Sequence, residues 1–536
     1  MAPPRLDSLD DVSSALPAAA ALRPVAPPGL TLARVAELVG VPPLAVPAPG
    51  EQDVRVLGVT LDSRLVRPAD LYVALPGRNH HGARFAEQAV AAGAVAVLTD
   101  RVGAELARTA GVPVLVVPNV RSAMAPVAAE VYGGPGGAMT MLGITGTNGK
   151  TTTAYLLDAA LRAAGRHCGV IGTIGFLLDG RPLDATRTTV TTPESPELQA
   201  LLAVLAEGGM DSCVMEVSSH ALALGRVDAL VFDVVAFTNF GQDHLDFHGD
   251  EESYFEAKAL LFTPERTRSA VVNIDDLRGR TLLSRLTAAG VPARTVSLTD
   301  PAADYRVLAA ELAADGHTRV VLRTPTQALD FRLGLPGDFN VRNAVTALAM
   351  LDRLGVDLQR AAAGLAEARV PGRMERVDLG SGAPTVFVDF AHTPQAVAAA
   401  LAAVAGPRRV VVLGAGGDRD PDKRGPIGAA AATGADLVVV TDDNPRSEDA
   451  AAIRRQVLAG AAAARSHQGL ATELVDGGDR RSAIALALRR CGPGDVLLVL
   501  GKGHETGQQV GLELLPFSDV EVITQEWAAA ERERHP

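Results

Sequence analysis

The sequence has few of the features that mark secreted, membrane-spanning or nucleic-acid-binding proteins. Its three cysteines, Cys168, Cys213 and Cys491, lie far apart without metal-binding spacing, which argues against a disulfide framework and fits a reducing compartment. No stretch reaches the roughly 18 apolar residues that a membrane span requires. The net charge of −12 argues against a general nucleic-acid binder, which would need a basic surface. We therefore expect a cytoplasmic protein with neither membrane nor nucleic acid as a partner.

The length and composition indicate an ordinary globular protein of several domains. With 536 residues, of which 47% are hydrophobic and 21% charged, the chain is too long for one core, and domain-size scaling suggests about three or four domains. No repeat period of about 20 to 50 residues is evident, so a repeat architecture is not expected. The first 30 residues combine Ala and Pro runs with Asp7, Asp10 and Asp11. Because a secretory peptide would carry positive charge before a longer apolar block, we predict a disordered extension over residues 1–30.

Short apolar runs separated by polar turns predict three α/β domains. After the helical pattern "TLARVAELVG", the runs "VRVLGVTLDSR", "DLYVALPG", "AVAVLTD" and "VPVLVVPN" predict a small first domain, residues 31–137, that ends near the glycines of "YGGPGGAMT". A second series follows over residues 138–370: "MTMLGIT", "DSCVMEV", "FDVVAFTNF" and "SAVVNI". A third series occupies residues 371–536: "TVFVDF", "RRVVVLGA", "ADLVVV" and "DVLLVL".

The polar residues of the second and third series follow directly after the apolar runs. Continuous apolar strands that alternate with Ala/Leu-rich helices indicate parallel sheets covered on both faces. In such sheets ligands bind beyond the carboxyl ends of the strands. The sequence therefore predicts binding sites in the segments that follow these strands.

The segment "GITGTNGKTT" is a candidate nucleotide-phosphate loop. It misses the usual Walker spelling, because Ile144 stands where that pattern has Gly, and its glycines are Gly143, Gly146 and Gly149. The glycines allow backbone N–H groups to face anionic oxygens at a helix start. Lys150 can supply charge to the β- and γ-phosphates, and the hydroxyl of Thr151 can bind Mg²⁺. The alternative is a glycine-rich turn without a ligand.

This segment resembles the ATP loop of the Mur ligases and the folylpolyglutamate synthetases. These enzymes activate a carboxylate with ATP and form an amide. The resemblance extends over roughly residues 50 to 525 in motif order and implies the three-domain α/β Mur ligase architecture, with a P-loop-type central ATPase domain and a Rossmann-like C-terminal domain. It assigns ATP contacts to the residues of the loop and to two later asparagines: Gly143, Ile144, Thr145, Gly146, Thr147, Asn148, Gly149, Lys150, Thr151, Thr152, Asn340 and Asn343.

The strings "MEVSSHAL" and "TNFGQDHLDFHG" place Glu216 and His244 after two successive strands. A carboxylate and an imidazole can serve an Mg²⁺ or phosphate site, although each alone could be a surface residue at a strand end. Lys258 lies in the apolar and aromatic helix "YFEAKALLF", where it could simply extend its stem along the helix surface. The resemblance implies that Glu216 and His244 bind Mg²⁺ with Thr151. It also implies that Lys258 is carbamylated by CO₂ and becomes an anionic metal ligand, which requires a depressed pKa of its amine. Lys150, Glu216, His244 and Lys258 are the expected catalytic residues.

The N-terminal string "LDSRLVRPADLYVALPGRNHHGARF" resembles the uridine-nucleotide domain of the Mur ligases that add the third and the last peptide units. Without the family, "DSR" is a turn and "GRNHHG" a surface loop. In "RTTVTTPES" and "SSHALALGRVD", Thr, Ser and Arg side chains suit a carboxylate-bearing peptide. The resemblance implies contacts to a UDP-N-acetylmuramoyl dipeptide from Leu61, Ser63, Arg78, Asn79, His80, Thr191, Thr192, Ser218 and Arg226.

The string "TDDNPRSEDA" bears on the choice of amino acid. It could be a turn followed by a helix cap, but it resembles the signature of the Mur ligases that add meso-diaminopimelate. That amino acid has a carboxylate and an ammonium at its distal end, where lysine has only an ammonium. Arg446 can bind this carboxylate through two hydrogen bonds, and Asp443 can face the ammonium. The implied amino-acid pocket comprises Arg419, Asp443, Asn444, Pro445, Arg446, Gly501 and Glu505, while His392 and Lys423 match residues near the nucleotide.

The sequence departs from the family pattern at Leu224, Gln242 and Ala415, which affects expected substrate contacts rather than the reaction.

We expect a monomeric ligase that uses ATP and Mg²⁺ to join meso-diaminopimelate to the muramoyl dipeptide nucleotide in peptidoglycan synthesis. The alternatives are a lysine-adding Mur ligase, a folylpolyglutamate synthetase and a regulatory P-loop NTPase. "DNPR" disfavours the first, and the "LDSR" domain ahead of the ATP loop disfavours the second. The third would not need the amino-acid pocket.

Overall fold

The computed structural model describes residues 22–41, 54–77, 79–183, 189, 191–241, 243–313 and 316–534. The chain divides into two compact units, of which the first comprises the described residues up to Leu308 together with Val321–Phe331 and Arg342–Leu365. The second comprises Ala309–Val320, Arg332–Val341 and the described residues from Ala366 onward. Among all of these residues, no helix has the length and apolar character needed to cross a membrane.

The N-terminal domain is built on a parallel four-stranded sheet whose strands are the predicted apolar runs. In spatial order they are Gly58–Thr60, Asp70–Ala74, Ala96–Thr99 and Val114–Val116. A short antiparallel pair, Leu30–Thr31 with Arg55–Val56, precedes this sheet. The helical segments of the domain are Leu32–Val39, Gly82–Phe85, Ala86–Ala91, Arg101–Leu106 and Val120–Val131.

The central sheet carries the phosphate loop on one of its middle strands. Its strands lie in the order Arg181–Leu183, Phe176–Leu178, Cys168–Ile171, Ser212–Glu216, Thr140–Thr145, Val234–Phe237, Ala270–Asn273, Ala293–Ser297, Tyr305–Leu312, Thr318–Arg323 and Ala328–Leu333. The strands from Cys168–Ile171 to Ala293–Ser297 pair in parallel. The helical segments are Pro135–Ala138, Lys150–Ala163, Ser195–Glu207, Ser219–Ala223, Leu245–His248, Glu251–Ala259, Leu260–Phe262, Leu277–Ala288, Asp338–Arg353 and Leu358–Ala363.

The C-terminal domain has a six-stranded sheet in the order Glu375–Val377, Thr385–Asp389, Val496–Leu500, Arg409–Leu413, Leu437–Thr441 and Glu473–Gly478. All neighbours are parallel except the first pair. A separate hairpin joins Gly507–Val510 to Glu513–Pro516. The helices are Pro394–Ala402, Arg424–Gly434, Ala450–Gln468, Arg480–Arg490 and Asp519–Arg534.

The sheets confirm the predicted α/β class and the parallel strands. The runs "MTMLGIT", "DSCVMEV" and "FDVVAFTNF" are adjacent strands, so the segments that follow them meet at one edge of the central sheet. The strands that precede "AHTP", "GKGHE", "GGDRD" and "TDDNPR" are likewise neighbours in the C-terminal sheet. Each sheet therefore collects its polar loops at its carboxyl edge, as parallel pairing requires.

The predicted disordered extension is wrong for residues 22–30. Arg23 donates to the Asp70 carboxylate at 3.0 Å and also bonds the Tyr132 hydroxyl, and the side chains of Arg23 and Asp70 are 8% and 4% exposed. The backbone N–H groups of Val25 and Ala26 donate to Glu207. The average composition of the first 30 residues could not predict this contact, because it depends on one arginine whose partner lies 47 residues further along the chain. Residues 1–21 lie outside the described residues.

The buried pair yields a stability prediction. Burial raises the pKa of the Asp70 carboxyl, and the Arg23 guanidinium opposes that shift. Removing one partner of a buried pair leaves the other uncompensated, so Arg23→Met should lower the free energy of unfolding by about 3 kcal/mol. The measurement is urea unfolding of wild type, Arg23→Met and the control Arg34→Met, which removes an arginine from an exposed pair with Glu37. Equal stability of the two variants would contradict the role assigned to Arg23.

Candidate active site

The phosphate loop connects strand Thr140–Thr145 to helix Lys150–Ala163, so Gly143, Ile144 and Thr145 lie in the strand. Gly146 and Gly149 have φ values of +148° and +88°, which favour glycine. A Cβ atom on Gly146 would lie 1.9 Å from Thr238 Oγ1, and one on Gly149 would lie 2.5 Å from Asn343 Oδ1. Both positions therefore need glycine for conformation and for space.

The segment after the neighbouring strand holds this loop in place. The Asn239 side chain accepts from Asn148 N and donates to Asn148 O, both at 3.0 Å. Thr238 Oγ1 donates to the same carbonyl at 2.6 Å. These two residues were not predicted from the sequence, although their position directly after a strand next to the loop was a usable signal. They fix the loop backbone whose N–H groups would face phosphate.

Two lysine ammonium groups converge on one loop carbonyl. Lys150 Nζ donates to Gly146 O at 2.9 Å and to Thr147 O at 3.0 Å. Lys258 Nζ donates to the same Gly146 oxygen at 3.0 Å and lies 4.1 Å from the centroid of the Tyr254 ring. Lys258 is 1% exposed, so the structure does not place it along the helix surface. Burial lowers the pKa of Lys258 well below its ordinary value, and the positive charge of Lys150 lowers it further.

Glu216 ends strand Ser212–Glu216 and is buried beside the loop. Its carboxylate accepts from Thr151 Oγ1 at 2.9 Å, from Thr173 N at 2.8 Å and from Thr173 Oγ1 at 3.0 Å. The structure thus brings together Glu216 and Thr151, as a shared metal site would need. Thr173 was not identified from the sequence, because its contact depends on which strands are neighbours in the sheet.

His244 is the most exposed of the predicted metal-binding residues. Its backbone is left-handed, with φ +53°, and its side chain is 48% exposed and 3.5 Å from the Asp243 carboxylate. Its ring packs against that of His220, with centroids 4.8 Å apart.

In the described part of the chain, His, Cys, Asp and Glu side chains form no group of three or more that could hold a metal. The adjacent oxygens of Glu216 and Thr151 nevertheless suit Mg²⁺, which binds through one or two carboxylates together with substrate phosphates.

The residues predicted to hold the peptide form a connected network. Thr192 Oγ1 donates to Glu216 O at 2.9 Å and accepts from Ser218 N, and Thr191 shares a hydrogen bond with Thr173. Arg226 donates to Thr192 O at 3.0 Å and to Glu194 Oε1 at 3.1 Å. In this structure the Arg226 guanidinium is therefore paired with Glu194, which also accepts from Arg121 of the N-terminal domain. Glu194 was not predicted from the sequence.

The other described residues predicted to contact the uridine nucleotide lie in two loops of the N-terminal domain. Ser63 is buried and donates to Gln88 Oε1 at 3.3 Å, Leu61 is half-buried, and Asn79 and His80 are exposed. Arg78 and Gln242 lie outside the described residues.

The remaining residues predicted to contact ATP lie in or near the phosphate loop and in helix Asp338–Arg353. Asn343 contacts the phosphate loop at Gly149, and the buried side-chain amide of Asn340 donates to Pro336 O at 2.8 Å. Thr147 and Thr152 occupy the loop and the first turn of its helix.

In the C-terminal domain, partly buried hydrogen bonds join the segments "DNPR" and "GKGHE". Asn444 Nδ2 donates to Glu505 Oε2 at 2.9 Å, and Lys502 Nζ donates to the same oxygen at 2.9 Å. Gly501 has φ +112°, and a Cβ atom there would lie 2.5 Å from Asp443 Oδ2. The structure thus places Asp443, Asn444, Gly501 and Glu505 together, as expected. It adds Lys502, which was not predicted from the sequence as a residue of this pocket.

Arg446 and Arg419 extend this pocket. Arg446 has a left-handed backbone, with φ +52°, and its NH1 donates to Gly417 O at 2.6 Å. A Cβ atom on Gly416 would lie 3.0 Å from Arg446 NH1 and 3.8 Å from Arg419 Cγ. Arg419 is exposed, whereas Pro445 is buried. The two arginines therefore flank the same glycine loop.

Four further residues were singled out from the sequence. His392 and Lys423 match residues near the nucleotide in the family, and Ala415 and Leu224 depart from the family pattern. His392 shares a hydrogen bond with Phe390 O at 2.9 Å, and Lys423 precedes helix Arg424–Gly434. Ala415 is buried at the end of strand Arg409–Leu413, and Leu224 follows helix Ser219–Ala223.

Comparison with known proteins assigns the family. Three family models match in chain order: the Mur ligase family catalytic domain at residues 55–132, the Mur ligase middle domain at 144–351 and the Mur ligase glutamate ligase domain at 372–503. The chain is 47% identical over 504 residues to a UDP-N-acetylmuramoyl-L-alanyl-D-glutamate--2,6-diaminopimelate ligase of Streptomyces avermitilis, covering 92% of this chain and 96% of that protein. It is 45% identical over 494 residues to a protein of the same name from Corynebacterium glutamicum, covering 90% and 93%. A solved structure of a ligase with this name superposes with a TM-score of 0.65 at 28% identity, covering 94% of this chain and 99% of the other.

The fold and the phosphate loop together define a three-domain ATP-dependent ligase. The chain belongs to the Mur ligase family. This confirms the predicted fold class and the family inferred from the sequence.

The loop geometry gives a prediction with a matched control. Gly149 and Gly165 have similar φ values, +88° and +80°, but a Cβ atom on Gly165 would meet no other atom within 4 Å. Alanine at either position should cost about 1 kcal/mol of stability from its backbone conformation. Only Gly149→Ala should also weaken ATP binding, because its Cβ would displace Asn343 or the loop. Calorimetric titration with ATP measures the difference, and equal ATP affinity of the two variants would show that the loop tolerates a side chain at residue 149.

Proposed function

We propose that this chain joins meso-diaminopimelate to UDP-N-acetylmuramoyl-L-alanyl-D-glutamate at the expense of ATP, in peptidoglycan-precursor synthesis. The observation that carries the proposal is near-full-length similarity, at 47% and 45% identity, to relatives named for this activity. The polar loops at the carboxyl edges of the central and C-terminal sheets provide matching chemistry. The phosphate loop suits ATP, and Arg446 with Asp443 suits the distal carboxylate and ammonium of diaminopimelate.

The reaction has two chemical steps. The D-glutamate side-chain carboxylate attacks the γ-phosphorus of ATP, which releases ADP and gives an acyl phosphate. The amine of diaminopimelate then attacks the acyl carbon, loses a proton, and expels phosphate to leave the amide. Lys150 neutralises charge that builds up on the phosphate oxygens. Because an acyl phosphate hydrolyses in water, amide formation requires the amine to be delivered to it in a site that excludes solvent.

Glu216 and Thr151 would hold Mg²⁺, with His244 and a carbamylated Lys258 as the further expected ligands. When bound, the metal would neutralise phosphate charge during transfer. The environment of Lys258 supports carbamylation, because a neutral amine attacks CO₂ to give a carbamate and a proton. Burial and the nearby Lys150 both favour that neutral amine. The carbamate would place a negative charge close to the ammonium group of Lys150.

The selection of the amino acid rests on the C-terminal domain. Arg446 can exchange its bond to Gly417 O for a two-bond contact with a carboxylate. Lysine has no carboxylate at its distal end and would leave this guanidinium without its ligand partner. The pocket chemistry therefore favours diaminopimelate over lysine.

Phosphate release tests the proposed activity directly. Wild-type protein with ATP should release phosphate only when both the muramoyl dipeptide nucleotide and meso-diaminopimelate are present. Phosphate release that needs neither acceptor would support the regulatory NTPase instead. Equal use of lysine would support the lysine-adding ligase, and use of a folate substrate would support the folylpolyglutamate synthetase.

Arg446 should determine the choice between the two amino acids. Loss of a charge-assisted bond in a closed pocket costs about 2–5 kcal/mol, which corresponds to roughly a 30-fold to several thousandfold loss of apparent affinity. Arg446→Ala should raise KM for diaminopimelate by this factor. It should also reduce the ratio of kcat/KM for diaminopimelate to kcat/KM for lysine. KM for ATP and for the muramoyl nucleotide should stay near the wild-type values. The measurement is kcat/KM for both amino acids, and unchanged discrimination by the variant would exclude Arg446 as the selector.

Lys258 should be required as a carbamate rather than as a cation. Lys258→Ala should nearly abolish turnover while ATP still binds, and added acetate should restore part of the activity by occupying the anionic position. Lys258→Arg keeps the positive charge but cannot replace the carbamate, so it should be inactive as well. Near wild-type turnover of either variant would refute the carbamate. Turnover and ATP affinity are measured for both variants, with and without acetate.

A further inference from the structure

A fully buried lysine connects the two segments of the amino-acid pocket. Lys502 is 0% exposed, and its Nζ donates to Asn444 Oδ1 at 3.1 Å and to Glu505 Oε2 at 2.9 Å. Asn444 Nδ2 closes the ring by donating to the same Glu505 oxygen at 2.9 Å. The ring ties the loop after strand Leu437–Thr441 to the loop after strand Val496–Leu500.

The amide of Asn444 has one orientation in this ring. Its Oδ1 accepts from Lys502 Nζ and from Gln509 N, the latter at 2.9 Å. A reversed amide would point its NH₂ group at two donors and its oxygen at the Glu505 carboxylate. Lys502 and the backbone N–H of Gln509 therefore fix together how Asn444 faces Glu505.

The ring also determines which oxygen of Glu505 a ligand can reach. Within the described part of the chain, the hydrogen bonds recorded for this carboxylate all end on Oε2. The side chain is 34% exposed, so the carboxylate lies at the boundary between the buried ring and solvent. Because both of these hydrogen bonds occupy Oε2, Oε1 is the oxygen that remains for an incoming ammonium group.

We propose that Lys502 is a positioning residue for the incoming amino acid, because it orients Asn444 and the Glu505 carboxylate so that Glu505 Oε1 receives an ammonium group of the substrate. This inference rests on the proposed function and adds to it a residue that does not itself touch the substrate. Lys502 acts through Glu505, and its effect should appear in amino-acid binding and be absent from ATP binding.

A purely structural role is the competing explanation. The same domain contains Arg480, fully buried and paired with Asp519 at 2.7 Å through two bonds, so a buried cation there can serve stability alone. The two explanations differ in a double-mutant cycle. A residue that acts through Glu505 loses its effect once Glu505 is changed, whereas independent structural effects add.

The experiment measures KM for diaminopimelate, kcat, and KM for ATP with wild type, Lys502→Met, Glu505→Gln and the double variant. Lys502→Met should raise KM for diaminopimelate about tenfold or more, as expected for the loss of a hydrogen bond to a charged group. The values of kcat at saturation and KM for ATP should stay within about threefold of wild type, well below that tenfold effect. The double variant should have the same KM for diaminopimelate as Glu505→Gln.

Two further variants complete the test. Arg481→Met removes a positive charge from an exposed ion pair with Glu526 in the same domain and should leave both KM values unchanged. Lys502→Gln can still donate to Asn444 but carries no charge. It takes the place of Lys502→Met in the cycle if the methionine variant does not fold. Thermal unfolding of each variant is measured beforehand.

The outcomes separate this inference from the proposed function. If wild type does not use diaminopimelate, the proposed function fails. If wild type uses it but the Lys502 variants keep its KM, or if the effects of Lys502 and Glu505 substitutions on KM add, the positioning role alone is wrong. A fall in kcat with unchanged KM also overturns it.

Discussion

The central domain depends on an electrostatic constraint at a single carbonyl oxygen. Gly146 O accepts hydrogen bonds from the ammonium groups of both Lys150 and Lys258. Two positive charges so close together, one of them buried, are unfavourable unless anions arrive or a proton leaves. Phosphate can satisfy Lys150, and loss of a proton satisfies Lys258. Under the proposed function, the arrangement would link phosphate binding at Lys150 to carbamylation of Lys258, because both lysines contact the same oxygen.

The packing of two loop glycines, Gly146 and Gly149, explains how the loop holds this carbonyl in place. Gly146 fits against Thr238 and Gly149 against Asn343, at distances that exclude a side chain. Asn239 fixes the loop from the next strand. The loop is therefore supported on both sides before any ligand binds, which is the preorganisation that charge stabilisation in a transition state requires.

The sequence predicted the strands and the loops after them because both signals are local. Continuous apolar runs and the residues that follow them are read without knowing the fold, and parallel pairing then brings Glu216 and the phosphate loop together. The contacts of Thr173 and Asn239 could not be predicted in the same way, because they depend on the spatial order of the strands. Arg23 shows a different limit. A segment with the composition of a disordered tail contains one residue whose partner is buried, and averages over composition do not detect a single contact.

Two of the predicted site residues have left-handed backbone conformations although neither is glycine. His244 and Arg446 have φ values of +53° and +52°, a conformation that costs an L-residue about 1–2 kcal/mol. Glycine would relieve that cost at residue 446, so the backbone there would be more favourable without any side chain. If Arg446 binds the substrate carboxylate as proposed, arginine at this position is a compromise between stability and recognition. A search for stabilising substitutions guided by backbone geometry alone would then replace the proposed selector of the amino acid with glycine.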